Sequence, residues 1–394
     1  MKKILIIGAG FLQDFVICKA KELGYETYVV DANPNAVGFT HSDYFEVINI
    51  VDQEACLAYA REKEVDGVLT AATDFGVLTA AYIAQEMGLP GLKYEVAQLI
   101  KDKYRVRKCL LKHHVDDSVQ VYEVTKDTDI KELASKLEYP VMVKPCDGSG
   151  SRGATRVDDV KELENACIRA INESIIHKAE IESFIVGKEY GVESLVTNGE
   201  ILVLGIMKKW MTNPPYYAEL GHAIPCGLCS ELENKIINCV KKAIKVLGIN
   251  HGSVNMDLLI TEKSEVYIID IGARMGGNMI GPCVIPYGTG FDYMGAMIKN
   301  ALNDPVDYSR RKKSSVATRL LAFEEGIVKK SINSDDISKR FNVEIYHHME
   351  KGQHVNEYHT NLDGCGYIVA KADDIDKAIE SAENALDYLK DNVF

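Results

Sequence analysis

Asp257 and Asp270 each close an apolar run, VNMD and VYIID, and the polar segment ITEKSE lies between them. Both runs read as strands, and the connector is short enough to set them side by side as a hairpin. Aspartate is seldom buried unless it is paired or bound to a metal. Two carboxylates on neighbouring strands repel unless a cation sits between them. A hard ion such as Mg²⁺ takes oxygen ligands of this kind, usually with substrate phosphates completing its shell. Arg274 follows in a glycine-rich turn, where a cation could meet developing negative charge. Either aspartate alone reads as the polar end of a hairpin; the pair with Arg274 reads as a metal–phosphate site.

A second group of residues could hold those phosphates. Asp147–Gly153, DGSGSRG, lies between the strand patterns VMVKP and ATRV. Its glycines and serines (Gly148, Ser149, Gly150, Ser151, Gly153) make a hairpin whose backbone N–H groups could close over an anion. No Gly-Lys-Ser/Thr follows, so it is not a P-loop. Lys144 ends the apolar strand before it and needs an anion nearby, since an unpaired buried lysine is costly. Lys103 sits in the basic helical pattern KDKYRVRK, where a solvated lysine is the other reading. Glu182 and Glu189 flank the strand–turn–strand IESFIVGKEYGVE. They could accept hydrogen bonds from ribose, and the backbone of Ser183, Phe184 and Ile185 could read an adenine edge. Surface ion pairs are the alternative for both acids.

The elements that must carry these residues can be traced along the chain. Up to about Gly91, strand and helix patterns alternate: KILIIGAG, DFVICKAKELG, YETYVVDAN, EACLAYAREKE, VDGVLTAATD, GVLTAAYIAQEMG. That alternation predicts a doubly wound parallel sheet with its ligand-facing loops at the strand C-termini. The first loop, Gly8-Ala-Gly10, with Asp31 downstream, invites a dinucleotide reading, but Gln13 replaces the third glycine and nothing later resembles hydride chemistry. A basic helical stretch, a small α/β unit with the glycine loop, a second half with the aspartate hairpin, and a last portion of strands and one long helix follow.

The chain has 394 residues, enough for two or three packed domains, and a net charge of −13. An acidic chain without a basic face argues against nucleic acid as a partner. The ten cysteines are scattered, and Cys226-Gly-Leu-Cys229 reads as chance spacing rather than a zinc or redox pair. MKKILIIGAG turns at once into a glycine loop and reads as a first strand, not a signal peptide. No apolar stretch nears the ~20 residues of a membrane span. Together these predict a cytoplasmic enzyme with no membrane partner.

In this order the pieces resemble the ATP-grasp superfamily over nearly the whole chain. IIGAGFLQ and DANPNAVG look like the N-terminal domain of its purine-pathway members. The resemblance assigns Lys103 and Lys144 as nucleotide-binding lysines, and DGSGSRG as the phosphate-covering loop. It makes Glu182 the hinge acid, Ser183–Ile185 the adenine contact and Glu189 the ribose ligand. Asp257 and Asp270 become metal ligands, and Arg274 the catalytic arginine beside an acyl-phosphate. The segment Tyr216–Pro225, YYAELGHAIP, resembles a motif of dipeptide-forming L-amino-acid ligases, which implies Glu219 and His222 in the amino-acid pocket, with Gly276 and Gly277 beside them. A surface loop is the other reading for Glu219 and His222. The family commonly has Glu-x-Asn-x-Arg where this chain has Asp270-Ile-Gly272-Ala-Arg274, so one metal-binding oxygen is missing; either a water or Asn278 replaces it, or a second Mg²⁺ binds more weakly.

The resemblance thus implies an α/β fold with three parts. They are an N-terminal parallel-sheet domain (residues 1–97), an ATP-grasp domain of two α+β subdomains (98–310, with a small lid at 118–196), and a C-terminal mixed α/β region (311–394). It implies an ADP-forming carbon–nitrogen ligase that uses ATP with Mg²⁺, or Mn²⁺, on small carboxylate and amine substrates, and an assembly as a homodimer. A purine-pathway ligase acting on a phosphoribosyl substrate is the alternative reading, and a nucleotide-binding protein without catalysis is a third.

Overall fold

KILII, ETYVVD and GVLT form three parallel strands, Lys3–Ile7, Glu26–Asp31 and Gly67–Thr70, with Ile4 aligned to Thr27 on one side and Gly67 on the other. In this computed structural model, which describes residues 1–118, 120–148, 153–214 and 216–393, a fourth strand joins them. Tyr44–Val47 pairs with Glu26–Asp31 at the sheet edge. Its four residues are all exposed, so it carries no buried run that a sequence reading could detect. Both faces of the sheet are covered. Val16, Ile17 and Ala20 of helix Phe11–Glu22 pack with Ile4, Ile6 and Val29. Leu57 and Ala60 of Gln53–Lys63, with Ile83 of Val77–Met87, pack with Leu5, Ile7 and Val30. Gln13 lies across the first loop and donates to the Ala71 carbonyl at 2.5 Å, while Asp31 accepts from Ala9 N at 2.8 Å. Asp31, the ribose ligand of the dinucleotide reading, is thus engaged by backbone N–H groups, and Gln13 stands where that reading needed glycine.

The central sheet has eight antiparallel strands. In spatial order they are Val266–Gly272, Gly252–Ile260, Lys188–Thr197, Glu200–Met211, Glu219–Ile224, Ser315–Leu320, Gly366–Ala372 and Val343–His347. Alternation sorts its faces. Val254, Met256 and Leu258 pack with Ile236, Val240, Ile244 and Leu247 of helix Ser230–Leu247. Asn255 and Asp257, of opposite parity, turn to the other face. The C-terminal strands extend this same sheet. Helix Ile375–Val393 covers them with Ala378, Ala382, Ala385 and Leu389, spaced at helical period.

A smaller sheet carries the rest of the nucleotide motifs. Its order is Val121–Val124, Ala179–Ser183, Val141–Pro145, Thr155–Val157. Val141 aligns with Val157 and Val143 with Thr155, so the glycine segment does join an antiparallel hairpin. Leu163, Ala166, Cys167 and Ala170 of helix Val160–Glu173 seal one face. No helix among the described residues is long and apolar enough to cross a membrane.

Candidate active site

A cavity of about 890 Å³ opens where the three sheets meet. The small sheet contributes Met142, Lys144, Gly148, Glu182 and the segment after it, Ser183–Ile185. The central sheet contributes Glu189, Lys209, Glu219, Asn255, Asp257 and Asp270, and the following turn Arg274, Gly277 and Asn278. The N-terminal sheet contributes Ala72, Thr73, Asp74 and Phe75. Residues separated by up to about two hundred positions thus face one space.

Asp257 and Asp270 are direct cross-strand partners, and the pairing slips by one residue just after Asp257. Such a bulge locally re-aims side chains. The two carboxylates are not sealed in a core, as the sequence suggests: Asp257 is half-buried and Asp270 is open to the cavity. Parity points Asp257 away from the packed helix; Asp270 has the parity of Val266 and Ile268, which pack on that helix, and turns to the cavity because the register shifts between Ile268 and Asp270. Burial raises the Asp257 carboxyl, and Lys209 only partly offsets it. For Asp270 the balance reverses, because Lys103 outweighs burial and holds it low.

Lys103 owes its place to a helix start. Asp102 caps Lys103–Lys112 by accepting from Arg105 N at 3.1 Å, and Lys103 N donates to the Cys146 carbonyl at 2.8 Å. Its ammonium then pairs with Asp270. Lys144 finds the anion its strand position demands in Glu182. Glu182 is itself buried and also accepts from Arg107 Nε at 3.2 Å, and Arg107 holds Asp116 at 2.7 Å. Glu180, two residues earlier on the strand, is 2% exposed and its Oε2 has no hydrogen-bond partner among the described residues. Burial, reinforced by Glu182, raises its carboxyl to about 7 against the pull of Lys144 and Arg107. The Phe184 amide already donates to the Pro140 carbonyl at 3.0 Å, so that part of the expected adenine edge is engaged.

Deeper in, Lys209 is almost fully buried and meets three carboxylates: Glu219 at 2.5 Å, Asp257 at 2.8 Å and Glu189 at 3.6 Å. Burial lowers its pKa, but Asp257, Glu219 and Glu189 together raise it well above the ordinary lysine value. Glu219 is correspondingly held at about 2, burial notwithstanding, mainly by Lys209. Asn278 donates to its other oxygen. Asn278 and Met279 adopt φ of +50° and +61°, backbone that ordinary residues take up rarely, at the point where Asn278 meets Glu219. Glu189 loses the competition for Lys209, and burial lifts it to about 7.

Arg274 is engaged from the N-terminal side: Nε and Nη2 meet the two oxygens of Asp74 at 3.0 and 3.1 Å. Behind it, the fully buried Glu193 accepts from Gly276 N at 3.0 Å, Asn255 Nδ2 at 2.7 Å and Tyr293 Oη at 2.5 Å. These contacts fix the turn that carries Arg274.

The expected site residues do not all reach the cavity. Ser149, Gly150 and Ser151 lie outside the described residues. Gly153 does not line the cavity; a side chain there would press on Pro145. Gly276 is held behind the wall by Glu193. His222 is not in a surface loop but in strand Glu219–Ile224, 1% exposed, with Nε2 4.0 Å from Glu219. Burial lowers its pKa to about 4, so it is neutral at pH 7. Residues that the sequence reading did not place are Asp74, Arg107, Glu193, Asn255 and, as a carboxylate partner, Lys209. For Lys209 a signal exists: it shares parity with Met207 on the strand and so faces inward. For Asp74 and for the reach of Arg107 to Glu182 none is visible, because those partners lie 200 and 75 residues away in sequence. Cys226 donates to Glu233 at 3.2 Å while Cys229 is exposed, so the CxxC forms no site.

The donors fit a hard cation. Asp257, Asp270 and Asn255 offer only oxygen toward the cavity once the Asn255 nitrogen is spent on Glu193. Lysines 103 and 144 supply positive charge beside them.

Comparison with known proteins agrees with this architecture. Residues 137–282 match the model of the ATP-grasp domain, and residues 319–391 match L-amino acid ligase C-terminal domain 2. Human carnosine synthase 1 is 25% identical over 308 residues, covering 70% of this chain and 37% of that protein. The carbamoyl phosphate synthase large chain of Thermoanaerobacter pseudethanolicus is 25% identical over 292 residues, covering 70% and 27%. The chain therefore spans well under half of the length of these two relatives. Among solved structures, an L-amino acid ligase from Bacillus licheniformis superposes with a TM-score of 0.84 at 23% identity, covering 98% of this chain and 97% of that one. A phosphoribosylglycinamide synthetase from Anaerococcus prevotii gives 0.78 at 24%, covering 98% of each. With an ATP-grasp domain at residues 137–282 and L-amino acid ligase C-terminal domain 2 at residues 319–391, the chain shares the fold of these solved ligases.

Proposed function

We propose that the protein is an ATP-dependent, ADP-forming carbon–nitrogen ligase that joins an amino-acid-like carboxylate to an amine through an acyl-phosphate. The observation that carries this reading is the convergence of Lys103, Lys144, Asp257, Asp270 and Arg274 with Glu219 in one cavity. Adenine fits the apolar part, walled by Met142, Leu259 and Ile269. Lys103 and Lys144 hold the phosphates, and on nucleotide binding they exchange Asp270 and Glu182 for phosphate oxygens. Mg²⁺, or Mn²⁺ in its place, bound by Asp257 and Asp270 would supply charge neutralisation during phosphoryl transfer. The substrate carboxylate attacks the γ-phosphorus, ADP leaves, and the amine then attacks the acyl carbon with loss of phosphate. Arg274 stands where the oxyanion and the departing phosphate carry charge, in a partly dehydrated site where a fixed cation acts strongly. Glu219, held ionised, offers its charge to a substrate ammonium. His222, neutral at pH 7, is not among the residues that line the cavity and stands with Nε2 4.0 Å from Glu219.

A phosphoribosyl substrate is less well served. Of the cations such a substrate could use on the acceptor side, Lys209 meets three acids and Arg274 is shared with Asp74, which leaves Lys208, lying over the Trp210 ring. The decisive experiment incubates the protein with ATP, Mg²⁺ and the twenty amino acids, alone and in pairs, and follows phosphate release and product mass. The expected product is an amide formed with one ADP and one phosphate per bond. Absence of any amide product from every pair would overturn the amino-acid reading, whatever the background ATP hydrolysis.

A further inference from the structure

Asn255 precedes Asp257 by two residues and shares its sheet face. Its cross-strand partners are Glu193 on one side and Gly272 on the other. Glu193 Oε1 takes its Nδ2 hydrogen at 2.7 Å, and Glu193 is in turn fixed by Gly276 N and Tyr293 Oη. An amide held by its nitrogen presents its oxygen elsewhere, and Asn255 Oδ1 accepts no hydrogen bond from the described residues. Asn255 lines the cavity with Asp257 and Asp270. On the neighbouring strand, Gly272 carries no side chain that could cover or replace that oxygen. A Cβ at Gly272 would lie 3.2 Å from both Arg274 Cζ and Asp74 Oδ1, so the Arg274–Asp74 pair occupies the space a longer residue would need. Another cavity amide, Asn278, has its nitrogen on Glu219.

We propose that Asn255 Oδ1 is a third oxygen ligand of the divalent-cation site, supplied from the Asp257 strand and aimed by Glu193. It makes the set two carboxylates and one neutral amide, all oxygen, as a hard cation requires. Glu193 acts as a positioning residue, because it fixes which end of the amide faces the cavity. The proposal rests on the reading of the cavity as a metal–nucleotide site.

The test is a titration of the full-length protein with Mn²⁺ at saturating ADP, following free Mn²⁺ by electron paramagnetic resonance, for wild type, Asn255→Leu and Asn255→Asp. Asn255→Leu keeps the volume and removes the oxygen; the expected result is at least a tenfold loss of Mn²⁺ affinity at one site with ADP still bound. Asn255→Asp keeps an oxygen and should bind Mn²⁺ at least as tightly as wild type. Wild-type affinity in Asn255→Leu overturns the assignment. If Asn255→Leu does not fold, weakened Mn²⁺ binding by folded Asn255→Asp overturns it instead. A wild-type protein that takes up no Mn²⁺ with ADP overturns the underlying reading of the cavity.

Discussion

At the scale of single residues, Lys209 decides the electrostatics of the site. Three carboxylates converge on one buried ammonium, so removing it leaves acids facing one another in a poorly hydrated space. Breaking a buried ion pair from one side typically costs about 3–5 kcal/mol. Lys209→Met is expected to lower stability by an amount in that range when measured without ligands. Mg²⁺ with ADP should recover a substantial part of the loss, because a divalent ion at Asp257 supplies the missing positive charge. Thermal melts with and without Mg²⁺–ADP check this; an identical deficit under both conditions would separate Lys209 from the metal site. Lys103 and Lys144 differ in kind, since each pairs with a single acid on the cavity wall and has a phosphate to exchange it for.

At the scale of elements, the site is a junction, and Asp74 is its N-terminal contribution. It follows strand Gly67–Thr70 and reaches Arg274, which follows strand Val266–Gly272. Gly272 makes this approach possible. The bidentate pair fixes the plane of the guanidinium, a geometry that lysine could not reproduce. Asp74→Ala is therefore expected to lower kcat tenfold or more while the KM for ATP changes less than twofold. Steady-state kinetics check the split; a rise in the ATP KM alone would place Asp74 in nucleotide binding instead of in positioning Arg274. The same junction explains what the sequence shows at this scale. Asp257 and Asp270 are legible because each ends its own apolar run. Tyr44–Val47 is not, because an exposed edge strand needs no apolar alternation. Nor are Asp74, Glu193 or the reach of Arg107 to Glu182, with partners 200, 83 and 75 residues away in sequence.

For the molecule as a whole, buried titratable groups around the cavity set how stability follows pH. His222 is held at about 4 in the folded chain, against 6.5 ordinarily. The unfolded chain therefore binds a proton that the folded one refuses, and stability falls as pH drops from about 6.5 toward 4. Glu193, raised by burial to about 7 from 4.5, acts in the opposite sense: its contribution is complete below about 4.5 and is lost as pH rises through 7. His222→Gln removes the first effect alone. Between pH 6.5 and 4.5 that variant is expected to lose less stability than wild type, by on the order of 2–3 kcal/mol. Urea denaturation at the two pH values checks this, and parallel losses in both proteins would show that His222 is protonated in the folded state.

The sequence by itself determined the parallel N-terminal sheet, the aspartate hairpin, the antiparallel strands on either side of the glycine segment, and the motifs of the ATP-grasp domain. These rest on local patterns: strand alternation, helix spacing and a turn composition each act over a few residues. The tertiary structure alone decided that Asp257 and Asp270 face a cavity rather than a core, that His222 does not line that cavity, and that Lys209, Asp74 and Asn255 join the site. Those outcomes depend on which strands become neighbours and which face a helix covers. Charges brought together across such distances in sequence leave no periodic trace in it.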